Sequence, residues 1–170
     1  FDFPEYPNRG FIAGSWPEAG HYCIAFKINK PVFQGALHDR SIRDRGKRAQ
    51  AWRQPLTEGV KKELETYGKT MTPAGIQWYV GGNPIAAEKK IRSANEEDFT
   101  VVLGWAEAAA EAGGNFCLKY DDHRFPASPE DLKAFGSAKE ADVHLLTRLH
   151  RELVKQHPKT RILFCPPFYW

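Results

Sequence analysis

The chain has little sulfur: one methionine, Met71, and three cysteines, Cys23, Cys117 and Cys165, in 170 residues. Three cysteines are too few, and odd in number, for a disulfide scaffold, so buried free thiols are expected. No apolar run approaches the roughly 20 residues that a membrane-spanning helix needs. Repeats and low-complexity segments are absent as well. Neither sign of charge dominates, with 24 Lys+Arg against 21 Asp+Glu for a net charge of +3, too mild a balance for a dedicated nucleic-acid binder. The chain opens Phe1-Asp2-Phe3-Pro4 with no initiator and no signal peptide, which reads as a processed or trimmed piece. Aromatic residues are plentiful at 13% and hydrophobic residues reach 42%, which excludes a disordered chain. The length suits one globular domain with a real core.

Short apolar runs alternate with helical patterns. Five runs read as strands: Gly10 to Gly14, Pro31 to Gly35, Gly75 to Gly82, Asn115 to Tyr120 and Arg161 to Cys165. Between them, Thr57 to Gly68 carries Val60, Leu64 and Tyr67 at helical spacing. Glu97 to Ala112 places Phe99, Val102, Leu103, Ala106 and Ala110 on one face and stops at Gly113-Gly114. Ser128-Pro129-Glu130-Asp131 reads as a short helical turn with proline at its first position. A last helix starts near Ser137, with Glu140 in capping-box position, and carries Ala141, Leu145, Leu149 and Leu153 before Pro158. Repeated βα units of this kind predict an α/β fold with a parallel sheet, either doubly wound or a (β/α) barrel. In both, chemistry sits at the carboxyl-terminal ends of strands, here 14–16, 35–39, 81–84, 121–124 and 166–170.

Tyr120-Asp121-Asp122-His123-Arg124 places two carboxylates directly after an apolar strand. Crowded carboxylates suit glycoside chemistry, because one is pushed toward its protonated form while the other stays ionised. A helix cap or a solvated loop would use the same residues. His21, His38 and His123, with Asp39 or Asp122, lack the spacing of a metal site, so hydrogen-bonded histidines are the plainer reading and no metal is assigned. Arg40, Arg43, Arg45, Lys47, Arg48 and Arg53, opposed only by Asp39 and Asp44, form either a polyanion grip or a solvated basic segment. Cys23 and Cys117 sit in apolar surroundings where a thiol is inert. Trp78 and Trp105 read as core, whereas Trp16 and Trp170 fall at strand ends, where an exposed indole could stack on a sugar.

Several of these segments, taken in order, resemble the family 84 glycoside hydrolases, β-N-acetylglucosaminidases that include O-GlcNAcases and bacterial hyaluronidase-like enzymes. Arg9-Gly10-Phe11-Ile12-Ala13-Gly14 resembles the family's opening strand, and Gly35-Ala36-Leu37-His38-Asp39 with Trp52-Arg53-Gln54-Pro55 its second-strand loop. Gly75 to Pro84 is similar to the third strand. Glu96-Glu97-Asp98-Phe99 through Tyr120-Asp121-Asp122 is similar to the helix and strand that deliver the catalytic Asp-Asp pair, and Cys165 to Trp170 to the fifth strand.

The resemblance implies a (β/α)8 TIM-barrel fold of which residues 1–170 form a partial catalytic domain, about the first five strands. It implies removal of terminal β-linked N-acetylglucosamine by a substrate-assisted, retaining mechanism. Asp121 would polarise the 2-acetamido group, and Asp122 would protonate the leaving oxygen and then deprotonate water. Gly14, His38, Asp39 and Tyr169 would bind substrate, with His38 standing where the family places a lysine. No cofactor and no metal are implied. The implied partner is an N-acetylglucosamine-containing glycan or glycoconjugate, with no nucleic acid and no membrane, and the rest of the barrel or an oligomeric partner would complete the fold. A secreted or periplasmic location is favoured for a bacterial source, and the compartment is otherwise open. Two features depart from the family: Ala13-Gly14-Ser15-Trp16-Pro17 differs after the first strand, and Trp16 to Lys30 reads as too short for the helix the family places there. They keep open a catalytically inactive, carbohydrate-binding or structural relative of the same barrel.

Overall fold

The computed structural model describes residues 7–34, 37, 51–86, 89–120 and 127–166. Its frame is a five-stranded sheet of β1 (Ile12–Gly14), β2 (Val32–Gln34), β3 (Tyr79–Gly82), β6 (Asn115–Lys119) and β7 (Ile162–Cys165), with every pairing parallel. The strands lie side by side in chain order, so the sheet has no point at which the order reverses. Register runs straight across, from Ile12 through Val32 and Tyr79 to Asn115. After β3 the chain makes a small antiparallel hairpin, β4 (Ile85–Ala86) with β5 (Lys89–Lys90), that the sequence reading did not anticipate.

Helices cover one face. α2 (Glu58–Met71), α3 (Glu96–Glu111) and α5 (Ala138–Gln156) press Leu64, Tyr67, Val102, Trp105, Leu145, Leu149 and Leu153 onto Phe33, Val80, Phe116 and Leu118 of the sheet. On the opposite face Val32, Tyr79 and Cys117 form a separate small cluster. Ile12 and Leu163, in register with that face at the two sheet edges, are 60% and 41% exposed. Among the described residues, sequential order with helices on one side matches what a barrel wall requires; a doubly wound sheet reverses its order and carries helices on both faces.

Local signals place the helix starts. Thr57, Asn95, Ser128 and Ser137 each accept a hydrogen bond from the backbone N–H three residues on, capping α2, α3, α4 (Pro129–Phe135) and α5. Four expectations need correction. A two-turn helix, α1 (Ala19–Ala25), does fit between β1 and β2; it has no side-chain cap and is held by burial of Ala19, Gly20 and Cys23. α2 runs past Gly68 to Met71, because Gly68 serves close packing rather than termination: a Cβ there would lie 1.9 Å from the Ala112 carbonyl oxygen. β3 begins at Tyr79 rather than Gly75, since 72–75 form a turn with Gly75 at φ +70°. On α3, Trp105 and Ala109 are buried whereas Leu103 and Ala110 are only partly so.

Candidate functional site

Because the sheet is parallel, Gly14, Gln34, Gly82, Lys119 and Cys165 end their strands along one rim. Gly14 is a described member of the predicted site, and a Cβ built on it would meet nothing within 4 Å, so the space beside it is open. Asp121, Asp122, His38, Asp39 and Tyr169 lie outside the described residues, as do His123, Trp170 and the arginines at 40, 43, 45 and 48. The chain leaves β6 at Lys119 and Tyr120, immediately before the Asp pair in sequence. Tyr120 is fully buried, with its ring edge-on to Phe164 at 5.3 Å. Burial, reinforced by the Asp142 carboxylate, pushes its phenol well above the ordinary value.

Behind the rim, three strand-to-helix connections converge on two buried carboxylates. Asp98, in the first turn of α3, accepts from Arg53 Nε at 2.7 Å and Nη2 at 2.8 Å, and from the backbone N–H of Arg92 at 3.0 Å. Arg92 adds side-chain bonds from Nε at 3.1 Å and Nη2 at 3.2 Å. Burial would raise the Asp98 pKa, but the hydrogen bonds from the two guanidiniums outweigh it and hold the carboxyl well below the usual carboxylate range. Asp131, in α4, is 2% exposed and accepts from the Ala94 backbone N–H at 2.8 Å. Arg53 lies in the connection from β2 to α2, Arg92 and Ala94 close the β3 connection, and α4 closes the β6 connection. Asp98 and Asp131 therefore tie together the frame from which the predicted site segments emerge.

The sequence reading missed Asp98 and its two arginines as a unit, and it missed Lys119. Lys119 did carry a signal, a lone charge within an otherwise apolar strand, Phe116-Cys117-Leu118-Lys119-Tyr120, and it is 4% exposed. Two other expectations change. Trp16 is not a free indole: its ring lies 5.7–6.1 Å from those of Phe11, Tyr22 and Phe33, and its carbonyl accepts from the Tyr67 hydroxyl at 3.2 Å. Arg53 is engaged by Asp98 and lies 4.0 Å over the Trp52 ring, which withdraws it from a basic grip on a polyanion. Trp78 and Trp105 are core, at 0% and 2% exposure. Cys23 and Cys117 are buried, and burial pushes the Cys23 thiol up to about 11.

Among the described residues no cluster of three or more His, Cys, Asp or Glu could hold a metal ion, and no helix is long and apolar enough to cross a membrane. Two cavities, of about 620 and 470 Å³, open at the other end of the sheet, one lined by Gln77, Asn115 and His157 and the other by Lys30, Tyr79 and Arg161.

A scan against protein-family models finds no match, and a search of curated proteins finds none. Solved structures do match. An O-GlcNAc hydrolase from Thermobaculum terrenum, determined as a mutant, is similar at a TM-score of 0.74 and 17% identity, over 96% of this chain and 36% of that one. The protein CpGH84B is similar at a TM-score of 0.64 and 16% identity, over 99% of this chain and 29% of that one. The chain has the fold of their N-terminal part. The family 84 resemblance read from scattered motifs thus recurs in the backbone. At these identities the likeness establishes the fold, and the chain spans 36% or less of the length of either protein.

Proposed function

We propose that residues 1–170 are the first five strands of the catalytic (β/α)8 barrel of a glycoside hydrolase that releases terminal β-linked N-acetylglucosamine from a glycan or glycoconjugate. The observation that carries this reading is the similarity to an O-GlcNAc hydrolase at a TM-score of 0.74, with an Asp pair following β6 in sequence, at the carboxyl end of a parallel sheet. Asp121 orients and polarises the substrate's 2-acetamido group, whose oxygen attacks the anomeric carbon. Asp122 protonates the departing oxygen and then takes a proton from the incoming water. Neither carboxylate is the nucleophile, so the two can be neighbours without the separation an ordinary retaining pair requires. Gly14 leaves room for the sugar, and His38, Asp39 and Tyr169 contribute binding. The partly bare Ile12 and Leu163 mark sheet edges that the remaining barrel strands, or a partner, would cover.

The test is release of 4-nitrophenol from its N-acetyl-β-glucosaminide by the full-length protein. Turnover that falls with Asp122→Ala supports the assignment, and turnover unchanged by that substitution overturns it. A second reading, an inactive carbohydrate-binding relative, is favoured by the departure at Ala13-Gly14-Ser15-Trp16-Pro17. Binding of N-acetylglucosamine without turnover would decide for it.

A further inference from the structure

We infer that Lys119 is a substrate-binding residue, its ammonium offered from the floor of the site to a hydroxyl of the bound sugar; this rests on the carbohydrate reading above. The face it occupies follows from its neighbours. A Cβ on Gly82 would strike Trp105 and Phe116, so Gly82 and the in-register Leu118 look toward the helices. Strand alternation then puts Gly81, Cys117 and Lys119 on the opposite face, the concave side of a barrel wall. The lysine stem crosses β3 at Gly81, where a Cβ would lie 3.1 Å from Lys119 Cδ. Glycine at 81 is thus the room the stem occupies. Toward the amino end the same face carries the apolar cluster of Val32, Tyr79 and Cys117, with Asn115 in register with Tyr79.

A lysine is rarely this buried without a polar task, because removing its charge from water is costly. Lys119 does interact within the protein. An ammonium carries three donors, however, so a protein partner leaves capacity for a ligand. Position adds to this: Lys119 ends its strand at the rim, two residues before Asp121 in sequence. A charge-assisted bond from such a site to one hydroxyl discriminates strongly against a sugar lacking that hydroxyl.

The experiment is a coupling cycle on affinity, which does not require turnover. N-acetylglucosamine and its 3-, 4- and 6-deoxy derivatives are titrated calorimetrically into the full-length protein and into Lys119→Met. In the wild type one deoxy derivative should bind more weakly by on the order of 10- to 100-fold. Lys119→Met should weaken the parent sugar by a similar factor and erase that one penalty, leaving the other two derivatives bound as well as the parent. Should Lys119→Met fail to fold, Gly81→Ala serves instead: it keeps the lysine but shifts its stem by a few tenths of an ångström, and the same single penalty should shrink. If the sugar binds and no single penalty is present or the penalty survives substitution, Lys119 is not a ligand contact, although the carbohydrate reading stands. If the wild type neither binds nor turns over the sugar, that reading itself fails and takes this inference with it.

Discussion

Arg53 donates two parallel hydrogen bonds to Asp98, Nε to Oδ1 at 2.7 Å and Nη2 to Oδ2 at 2.8 Å, across 45 positions of sequence. The Asp98 side chain is 1% exposed and the Arg53 side chain 32% exposed, so the pair is desolvated on one side only. Arg92 supplies the remaining donors, leaving the buried charge well satisfied. Removing Asp98 leaves two guanidiniums without their shared acceptor and opens the joint between the β2 and β3 connections. Asp98→Ala should therefore cost about 3 kcal/mol, the lower end for a broken buried pair because both arginines reach solvent. Arg53→Ala should cost less, since Arg92 still satisfies the carboxylate. Thermal denaturation of the full-length variants checks both values and their order.

The same pair sets a pH dependence. The folded-state pKa of Asp98 is depressed, so its contribution is fully present above the unfolded value of about 4 and is lost as pH falls below it. The wild type should lose stability from about pH 4 downward more steeply than Asp98→Asn, which starts less stable. Denaturation midpoints at pH 3, 5 and 7 give the comparison. Parallel acid limbs for the two proteins would assign the loss to other carboxylates.

Two helical glycines should respond to alanine with opposite signs. Alanine is favoured over glycine in a helix interior by up to about 1 kcal/mol. At Gly104 of α3 a Cβ meets nothing within 4 Å, so Gly104→Ala should stabilise by roughly that amount. At Gly68 of α2 the Cβ would lie 1.9 Å from a backbone oxygen of residue 112, which cannot swing aside as a side chain would. Gly68→Ala should therefore destabilise by about 1–3 kcal/mol, the overpacking cost exceeding the propensity gain. Equal shifts in midpoint for the two variants would contradict the close crossing of α2 and the end of α3.

Gly68 also shows where sequence reading succeeds and where it fails. Features set by a few neighbouring residues were legible: the capping box at Ser137, the proline-led turn at Ser128-Pro129, the apolar stripe of Leu145, Leu149 and Leu153, and the five strand centres. A glycine's purpose is not local: the helical pattern ends at Gly68, yet that residue's role is set by Ala112 at the C-cap of α3. α1 escaped notice because Ala19–Ala25 has weak local signals and is held by contact with α2, where a Cβ on Gly20 would lie 2.7 Å from Thr70. The rim was legible from topology alone, with Gly14 at its β1 end. The Arg53–Asp98 joint was not, because nothing near either residue in sequence names the other.

The cysteines offer a chemical check on burial. Cys23 is fully buried and its thiol is pushed up to about 11 by that burial, so almost none is thiolate at pH 8. Iodoacetamide at pH 8 should leave Cys23 unmodified in the native protein and alkylate it after unfolding in urea, read by peptide mass spectrometry. Rapid native alkylation of Cys23 would mean that α1 opens readily from α2.

The last expectation separates a proton donor from a structural residue at position 122. A general acid matters in proportion to how badly the departing oxygen needs a proton, and it contributes about 10²–10⁴-fold when the need is great. In the full-length protein, Asp122→Ala should lose about that factor on an N-acetylglucosaminide of an ordinary alcohol. It should lose distinctly less on the 2,4-dinitrophenyl glycoside, whose anion departs readily without one. A merely structural residue would lower both substrates by the same factor. Asp121→Ala should do so as well, because polarising the acetamido group assists ring attack whatever the leaving group. The contrast between the two substitutions, measured as the dependence of kcat/KM on leaving-group acidity, assigns the roles within the pair.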